Sequence, residues 1–567
     1  MIMDYELLLL NVYRDTNGYS SSFNDSIGQY LLAGYLRKHD FVAKVFSGSV
    51  AECREILKRE IGEHKVPIVG FYAAADNIRI VTHAVRWLKE RYDVTTVIGG
   101  PQAISLDLEF YRSTKNDYVI VGEGEIPLLK LMSYVVDGIG NLREIPQLKY
   151  FDREQNAYVW NQCDTAIITD LDSIPFPHVE DSLTGRLRNG TMVGIITGRG
   201  CPNHCTFCYE EANAKHVRLR SIENVMEEID YITAHNRSVE YINVYDDTFT
   251  LNVNRVIEFC AGMKKKGLKW FCEGHVNFVN KHPELIREMV DSGLTCIQFG
   301  IESGSKKVLD AYRKGTDRES IIKAIDICKA AGLHGITGNF IIGGAKETKE
   351  TLRESRELAK EMLEHARGIM EIYTVFFAPY PNTQMVREPE QFDMKIHGEL
   401  VDYSINTMRA PVVETKGLST LDIYHEKEAF DLFLSEQYRE NAISSTKADV
   451  LQGLFQNGRR IRINPTWEAS YAALNYIDVF LWHLSEKEQR FNKDGYIVRT
   501  FESFVLEGQR MVTDIGVFEG LEKDVLLNAS GVLSGTETAE KLGITLEQLK
   551  EIYEKLNDRC LVYTSLW

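Results

Sequence analysis

Strand-length apolar runs alternate with helix-period stretches in two successive series, and this alternation restricts the chain to an α/β architecture. In the first 140 residues the runs fall at 7–12, 42–46, 67–72, 94–98 and 118–121, with amphipathic stretches such as 26–37 and 79–90 between them. Five strands separated by helices predict a flavodoxin-like, doubly wound parallel sheet. Such sheets take ligands outside the carboxyl ends of their strands. Those ends carry Tyr72, Asp76 and Asn77; Gly99, Gly100 and Gln102; and the run Gly122, Glu123, Gly124, Glu125. Glycine at these places lets backbone approach a ligand or turn sharply. Tight turns of any α/β domain explain each one singly just as well.

Residues 141–190 read as a connector. Two short apolar segments, 149–151 and 157–160, flank a polar DREQN turn and predict a small hairpin, after which Pro175 and Pro177 force extended backbone. A second series begins at Met192, with strands expected at 193–197, 241–245, 269–272, 295–300, 338–342 and 371–377. Helices are expected between them, at 222–235, 253–265, 283–292, 320–331 and 350–365. These units fit a partial (β/α)6 parallel barrel over 191–390, whose chemistry belongs at the strands' carboxyl ends. From 391 to 567 the pattern is mainly helical. It closes on helix, turn, helix, strand, with Thr545 and Gln548 as a capping box and Gly543 between the helices, a winged-helix-like module.

A formal charge of −17 argues against extended contact with nucleic acid, which needs a basic footprint. No signal peptide or membrane span is expected, because no apolar run reaches about 18 residues. Ten cysteines without a secreted framework pattern point to a reducing cytoplasm. Seven of them (Cys53, Cys163, Cys260, Cys272, Cys296, Cys328 and Cys560) read as small buried hydrophobes.

The other three are clustered. GRGCPNHCTFCYE places Cys201, Cys205 and Cys208 in one loop after the first barrel strand. Thiolates are the soft ligands an iron–sulfur cluster takes. Three ligands on a four-iron cube leave one iron open to an amino-carboxylate. Zinc is the plain alternative, but a structural zinc needs a closed fourth ligand, and His204 sits between two of the cysteines in a short loop.

This segment resembles the signature of the radical S-adenosylmethionine (SAM) superfamily. Residues 1–390 are similar to the subgroup with an N-terminal cobalamin-binding domain, through VGFY (69–72), IGGPQA (98–103), VGEGE (121–125), LDSIPFP, YDDTFT (245–250), FGIESGS (299–305) and PYPNT (379–383). The C-terminal third matches no part of that shared pattern. The resemblance implies a [4Fe-4S] cluster on Cys201, Cys205 and Cys208, reductive cleavage of SAM to a 5′-deoxyadenosyl radical, and cobalamin facing the same cavity. It further implies C-methylation of an unactivated carbon in a peptide or secondary metabolite. Cyclisation, ring contraction or oxidation with the same cofactors is the alternative. A flavodoxin or ferredoxin type reductase is the expected electron donor.

For SAM the resemblance implies Phe207 near the adenine, Tyr245, Asp246 and Asp247 at the amine, Glu302 and Ser303 at the ribose, and the strand ending at Gly343 beside adenine. Core packing, helix capping, a surface pair and close strand packing are the respective ordinary readings. For cobalamin it implies Tyr72, Asp76, Asn77, Gly99, Gly100, Gln102, Gly122, Glu123, Gly124 and Glu125, without a cobalt-ligating histidine. Relatives often carry an arginine near the end of the third barrel strand. Here His275 stands there, as a structural histidine or a proton carrier, and Arg218 and Arg220 remain as carboxylate partners. A tRNA methylthiotransferase would need three further upstream cysteines, and only Cys53 and Cys163 precede Cys201. A catalytically silent cobalamin-binding regulator is the reading from another class.

Overall fold

β1 (Leu7–Tyr13) sends Leu8, Leu10 and Val12 into one apolar core and Leu7 and Leu9 into another. A strand that serves two cores favours apolar residues on both faces, so it opens on LLLL rather than alternating. The computed structural model describes residues 5–13, 26–74, 77–163, 167–184, 187, 190–209, 216–397, 410–456, 459–461, 497–499, 504–513, 516–530, 533–559 and 561–564. With β2 (Ala43–Ser49), β3 (Ile68–Tyr72), β4 (Thr95–Gly99) and β5 (Tyr118–Ile120), β1 forms a parallel sheet of order β2-β1-β3-β4-β5. That is the flavodoxin-like order. Helices Ile27–Arg37 and Glu125–Val136 cover one face, and Val50–Gly62 and Ile78–Lys89 the other.

The hairpin expected near residue 150 is present, and it continues the same sheet: β6 (Leu148–Asp152) and β7 (Ala157–Trp160) add antiparallel at the β5 edge. Lys149 fastens it to the turn after β4. Its ammonium donates to the carbonyls of Ala103 (3.1 Å), Ile104 (2.7 Å) and Leu106 (2.8 Å) and lies 4.9 Å from the Trp160 ring centroid. Burial pulls its pKa down to about 8.

The second sheet holds β8 (Met192–Ile195), β11 (Tyr241–Val244), β12 (Lys269–Gly274), β13 (Leu294–Glu302), β14 (Gly335–Ile342) and β15 (Met370–Phe376), all parallel and in that order. A two-stranded antiparallel pair, β9 (Gly198–Arg199) and β10 (Arg218–Leu219), brackets the cysteine loop. The architecture is α/β, parallel sheets with helices between strands. Two short helices were not expected: Val276–Lys281, and Lys306–Tyr312, which precedes the helix Arg318–Ala330.

Downstream, the 25-residue helix Thr420–Ser444 packs into the core of the second sheet through Ile423, Phe430, Leu434 and Tyr438. The last described unit has its own core, with Met511, Phe518, Val525, Leu526, Leu549 and Leu556. It joins a three-stranded antiparallel sheet to the helices Gly520–Asn528, Gly535–Leu542 and Leu546–Asp558. Thr545 and Gln548 exchange capping bonds of 3.1 and 2.9 Å, and Gly543 (φ 67°) ends the preceding helix. Small antiparallel sheets thus interrupt the helical pattern read from the sequence. Among the described residues no helix is long and apolar enough to cross a membrane.

Replacing Lys149 by Met strands three buried carbonyls. We expect a loss of roughly 1–3 kcal/mol in unfolding free energy, measured by denaturant titration, because an unpaired buried acceptor carries its full desolvation penalty.

Candidate active site

The cysteine loop is held at both ends by hydrogen bonds that its sequence neighbours do not supply. At its start, the Asp246 carboxylate accepts from the Thr197 amide (2.6 Å), the Thr197 hydroxyl (2.6 Å) and the Gly198 amide (3.0 Å). Arg255 donates to the Thr197 carbonyl at 2.7 Å. Further along, Thr206 donates its amide to the Tyr312 carbonyl (3.1 Å) and its hydroxyl to the Ala311 carbonyl (2.9 Å). Phe207 sets its ring edge-on to Tyr312, with centroids 4.9 Å apart. Between these anchors lie Cys201, half-buried, and Cys205, buried, and Cys208, half-buried, follows directly after them. The Asn203 amide donates to Cys201 Sγ at 3.4 Å, offsetting part of the burial that pushes this thiol up.

The neighbouring carboxylates at the end of β11 do different work. Asp246 is consumed by the loop backbone, whereas Asp247 lines the cavity beside Gly200. Burial and then the charge of Asp246 raise the Asp247 carboxyl. Glu273, at the end of β12, is pushed up to about 7 by burial first and by Asp247 next. Glu302 ends β13 with φ 65° and accepts from Lys314 at 2.9 Å. Burial alone disfavours the Lys314 ammonium, yet Glu302 and then Cys205 and Cys208 hold it above the usual lysine range.

The upstream sheet meets this loop through buried arginines. β9 and β10 place Arg199 opposite Arg218, and both reach Glu123. Arg199 spans Glu123 (3.0 Å) and Glu125 (2.6 Å). Between the strand ends of the two sheets lies a cavity of about 680 Å3. Its upstream wall is Tyr72, Gly99, Gly100 and Gly122 to Glu125, and its other wall includes Gly200, Tyr209, Tyr245 and Asp247. Gly100 has φ 103°, and a Cβ there would sit 2.6 Å from the Ala73 carbonyl oxygen, so only glycine fits this turn.

Several expected residues turn elsewhere. Asn77 spends its side chain on the backbone of Val12, Tyr72 and Ala74, and Gln102 on Ser105; neither lines the cavity. Ser303 bonds Ser355 and the Ser305 amide. Gly343 lies against Ile423, and its amide donates to Glu347. Asp76 and Cys560 lie outside the described residues. Arg218 and Arg220, read as open to a carboxylate ligand, are taken by Glu123 and by Glu228 with Asn224. His275 caps the helix Val276–Lys281, its Nδ1 accepting from the Asn277 amide at 3.2 Å. Cys163 lines the cavity, whereas Cys53, Cys260, Cys272, Cys296 and Cys328 are buried as expected.

Three residues escaped the sequence reading. Glu273 was findable, as a carboxylate at a barrel strand's carboxyl end. Arg199 abuts the cysteine motif, but its partners are about 75 residues away. Nothing local marks Lys314.

Three thiols on one anchored loop, with a cation and amide donors nearby, suit an iron–sulfur cluster. Among the described residues no three His, Cys, Asp or Glu side chains converge as a single-ion site. Residues 195–359 match the model of the radical SAM superfamily. The upstream sheet and this region together superpose on two solved structures at 15–17% identity, a likeness of fold. The cobalamin-dependent SAM radical enzyme OxsB superposes with a TM-score of 0.60 at 17% identity, over 85% of this chain and 73% of that one. The radical SAM methyltransferase TsrM from Kitasatospora setae gives 0.57 at 15%, over 75% and 91%. In sequence the chain is 31% identical over 300 residues to an uncharacterized methyltransferase of Pyrococcus horikoshii, covering 52% of this chain and 62% of that one. It is 25% identical over 406 residues to the anaerobic magnesium-protoporphyrin IX monomethyl ester cyclase of Cereibacter sphaeroides, covering 68% and 63%. The chain thus spans about three fifths of the length of these two relatives.

Two outcomes test this geometry. Asp246→Ala strands three donors at the root of the cysteine loop and should lower the unfolding free energy by roughly 1–3 kcal/mol, measured by denaturant titration, whereas Asp247→Asn, on the cavity, should leave it near wild type. His275 is neutral in the fold, its pKa lowered from 6.5 to about 4 by burial and then by Lys314 and Lys281. The stability this contributes is complete above the unfolded value of 6.5 and is lost as pH falls toward 4. Thermal midpoints should therefore drop across that window, and His275→Asn should flatten part of the drop.

Proposed function

We propose that this protein is a cobalamin-dependent radical SAM enzyme that methylates an unactivated carbon in a peptide or secondary metabolite. The supporting observation is the single cavity wall-to-wall between the glycine-rich strand ends of the upstream sheet and the Gly200–Asp247 side of the cysteine loop. When bound, the cluster supplies the electron that splits SAM into methionine and a 5′-deoxyadenosyl radical, and cobalamin supplies the methyl group. Cys201, Cys205 and Cys208 would hold the cluster. Asp247 offers a carboxylate to the SAM ammonium, with Tyr245 beside it on the cavity wall, and Phe207, packed on Tyr312, would back the cluster and the adenine. Glu302 would accept from ribose hydroxyls with the carboxylate that also meets Lys314. The backbone of Gly99, Gly100, Gly122 and Gly124, with Tyr72, would face the corrin ring, while Glu123 and Glu125 fix the wall rather than the ligand. No histidine is assigned to cobalt.

The terminal unit, read as winged-helix-like, would bring a peptide or carrier-bound substrate to the cavity. A flavodoxin or ferredoxin would deliver electrons, and the cytoplasm would keep the thiols reduced. A relative named as a cyclase supports the second reading, radical cyclisation, ring contraction or oxidation without methyl transfer.

Anaerobic reconstitution tests the reading. The wild-type chain should bind about four iron and four sulfide and release 5′-deoxyadenosine from SAM, and Cys205→Ser should lose both. S-adenosylhomocysteine appearing alongside 5′-deoxyadenosine supports methylation; its absence during turnover supports the second reading. A chain that assembles no cluster overturns both.

A further inference from the structure

We infer that Lys314 sets the reduction potential of the cluster at Cys201, Cys205 and Cys208, with Glu302 as the counter-charge that limits its effect. The inference rests on the function proposed above and adds to it a positioning residue that acts through charge rather than ligation.

The backbone delivers this lysine to the cysteine loop. The helix Lys306–Tyr312 ends at Arg313 with φ 54°, and Gly315 follows with φ 68°, so two left-handed residues flank Lys314 and turn its side chain inward. Its side chain is only 13% exposed. The carbonyls of Ala311 and Tyr312, just ahead of it, hold Thr206, the residue after Cys205. Lysine and cysteines are therefore parts of one hydrogen-bonded unit. Gly300 makes room: a Cβ there would lie 2.7 Å from the Lys314 ammonium. The lysine's charge reaches all three thiols and Glu273.

Reduction adds one electron, hence one negative charge, to the cluster; no bond forms or breaks, and an external mediator supplies the electron. A buried ammonium stabilises the reduced state, and low dielectric leaves that interaction poorly screened. Cluster potentials respond to local charge in this sense. Glu302, 2.9 Å from the ammonium, opposes it. An ion pair that merely ties the end of β13 to the following turn would make no such directional effect.

Potentiometric titration of the reconstituted holoprotein without SAM, read by electron paramagnetic resonance, decides. Lys314→Gln should move the midpoint negative, Glu302→Gln should move it positive, and Lys314→Arg should keep it near wild type. Midpoints that do not move, or that move the same way in both neutral variants, overturn the inference while the assembled cluster keeps the functional reading. A wild-type chain without a cluster overturns both. Should Lys314→Gln fail to assemble, the Glu302→Gln arm still decides, because a positive shift is required.

Discussion

Arg199 ties the two walls of the cavity together. Its guanidinium leaves the strand that leads into the cysteine loop and grips Glu123 and Glu125 on the far wall. Burial alone would disfavour that charge, yet both carboxylates hold the arginine firmly ionised. Arg218, directly across the β9–β10 pair, closes on the same Glu123. Like charges opposite each other on paired strands repel, so Glu123 is what makes that short pair tolerable. Each partner left alone would be an uncompensated buried charge, a loss on the order of 3–5 kcal/mol. The wall on one sheet and the loop on the other are therefore registered by charge, alongside the apolar contact that Ile27 and Leu31 share with Ile196.

The same economy of placement separates neighbouring residues by role. Asp246 and Asp247 are adjacent in sequence in the turn that follows β11, yet their side chains serve different places. One is spent on three donors at the root of the cysteine loop, the other stays on the cavity. Their mutual repulsion and shared burial raise the Asp247 carboxyl, and Glu273 behind it rises to about 7. A cluster of carboxylates so close to three thiols is tolerable because Lys314 stands among them.

What could be read from the sequence followed from periodicity and spacing. Both parallel sheets were legible because strands buried on two faces write continuous apolar runs, as in Leu7 to Leu10. The cysteine trio was legible because thiol ligands must be near in sequence when one loop carries them. Side-chain direction was not legible. Asn77 and Gln102 stand at strand ends beside the cavity, but the turns there orient them back onto their own backbone. Arg218 seemed open and is buried in an ion pair whose partner lies 95 residues earlier. Long-range charge pairing leaves no local pattern, so Arg199 and Lys314 emerge only once the chain is folded.

An open sheet of six parallel strands has two edges, and an exposed edge is a template for unwanted pairing. The helix Thr420–Ser444 answers this at β15. Its Tyr438 hydroxyl accepts from the Ile372 amide at 2.5 Å and donates to the Ile372 carbonyl at 3.4 Å, taking both backbone groups that a further strand would use. Phe430 reaches inward to Phe340 on β14, with centroids 5.5 Å apart. The helix is read from the sequence as the start of a separate region, yet its buried face belongs to the barrel core. Ile423 also lies where a Cβ on Gly343 would fall, 2.8 Å away. The glycine at the end of β14 is thus set by the helix that packs on it, and the fold of the site depends on residues beyond the barrel strands themselves.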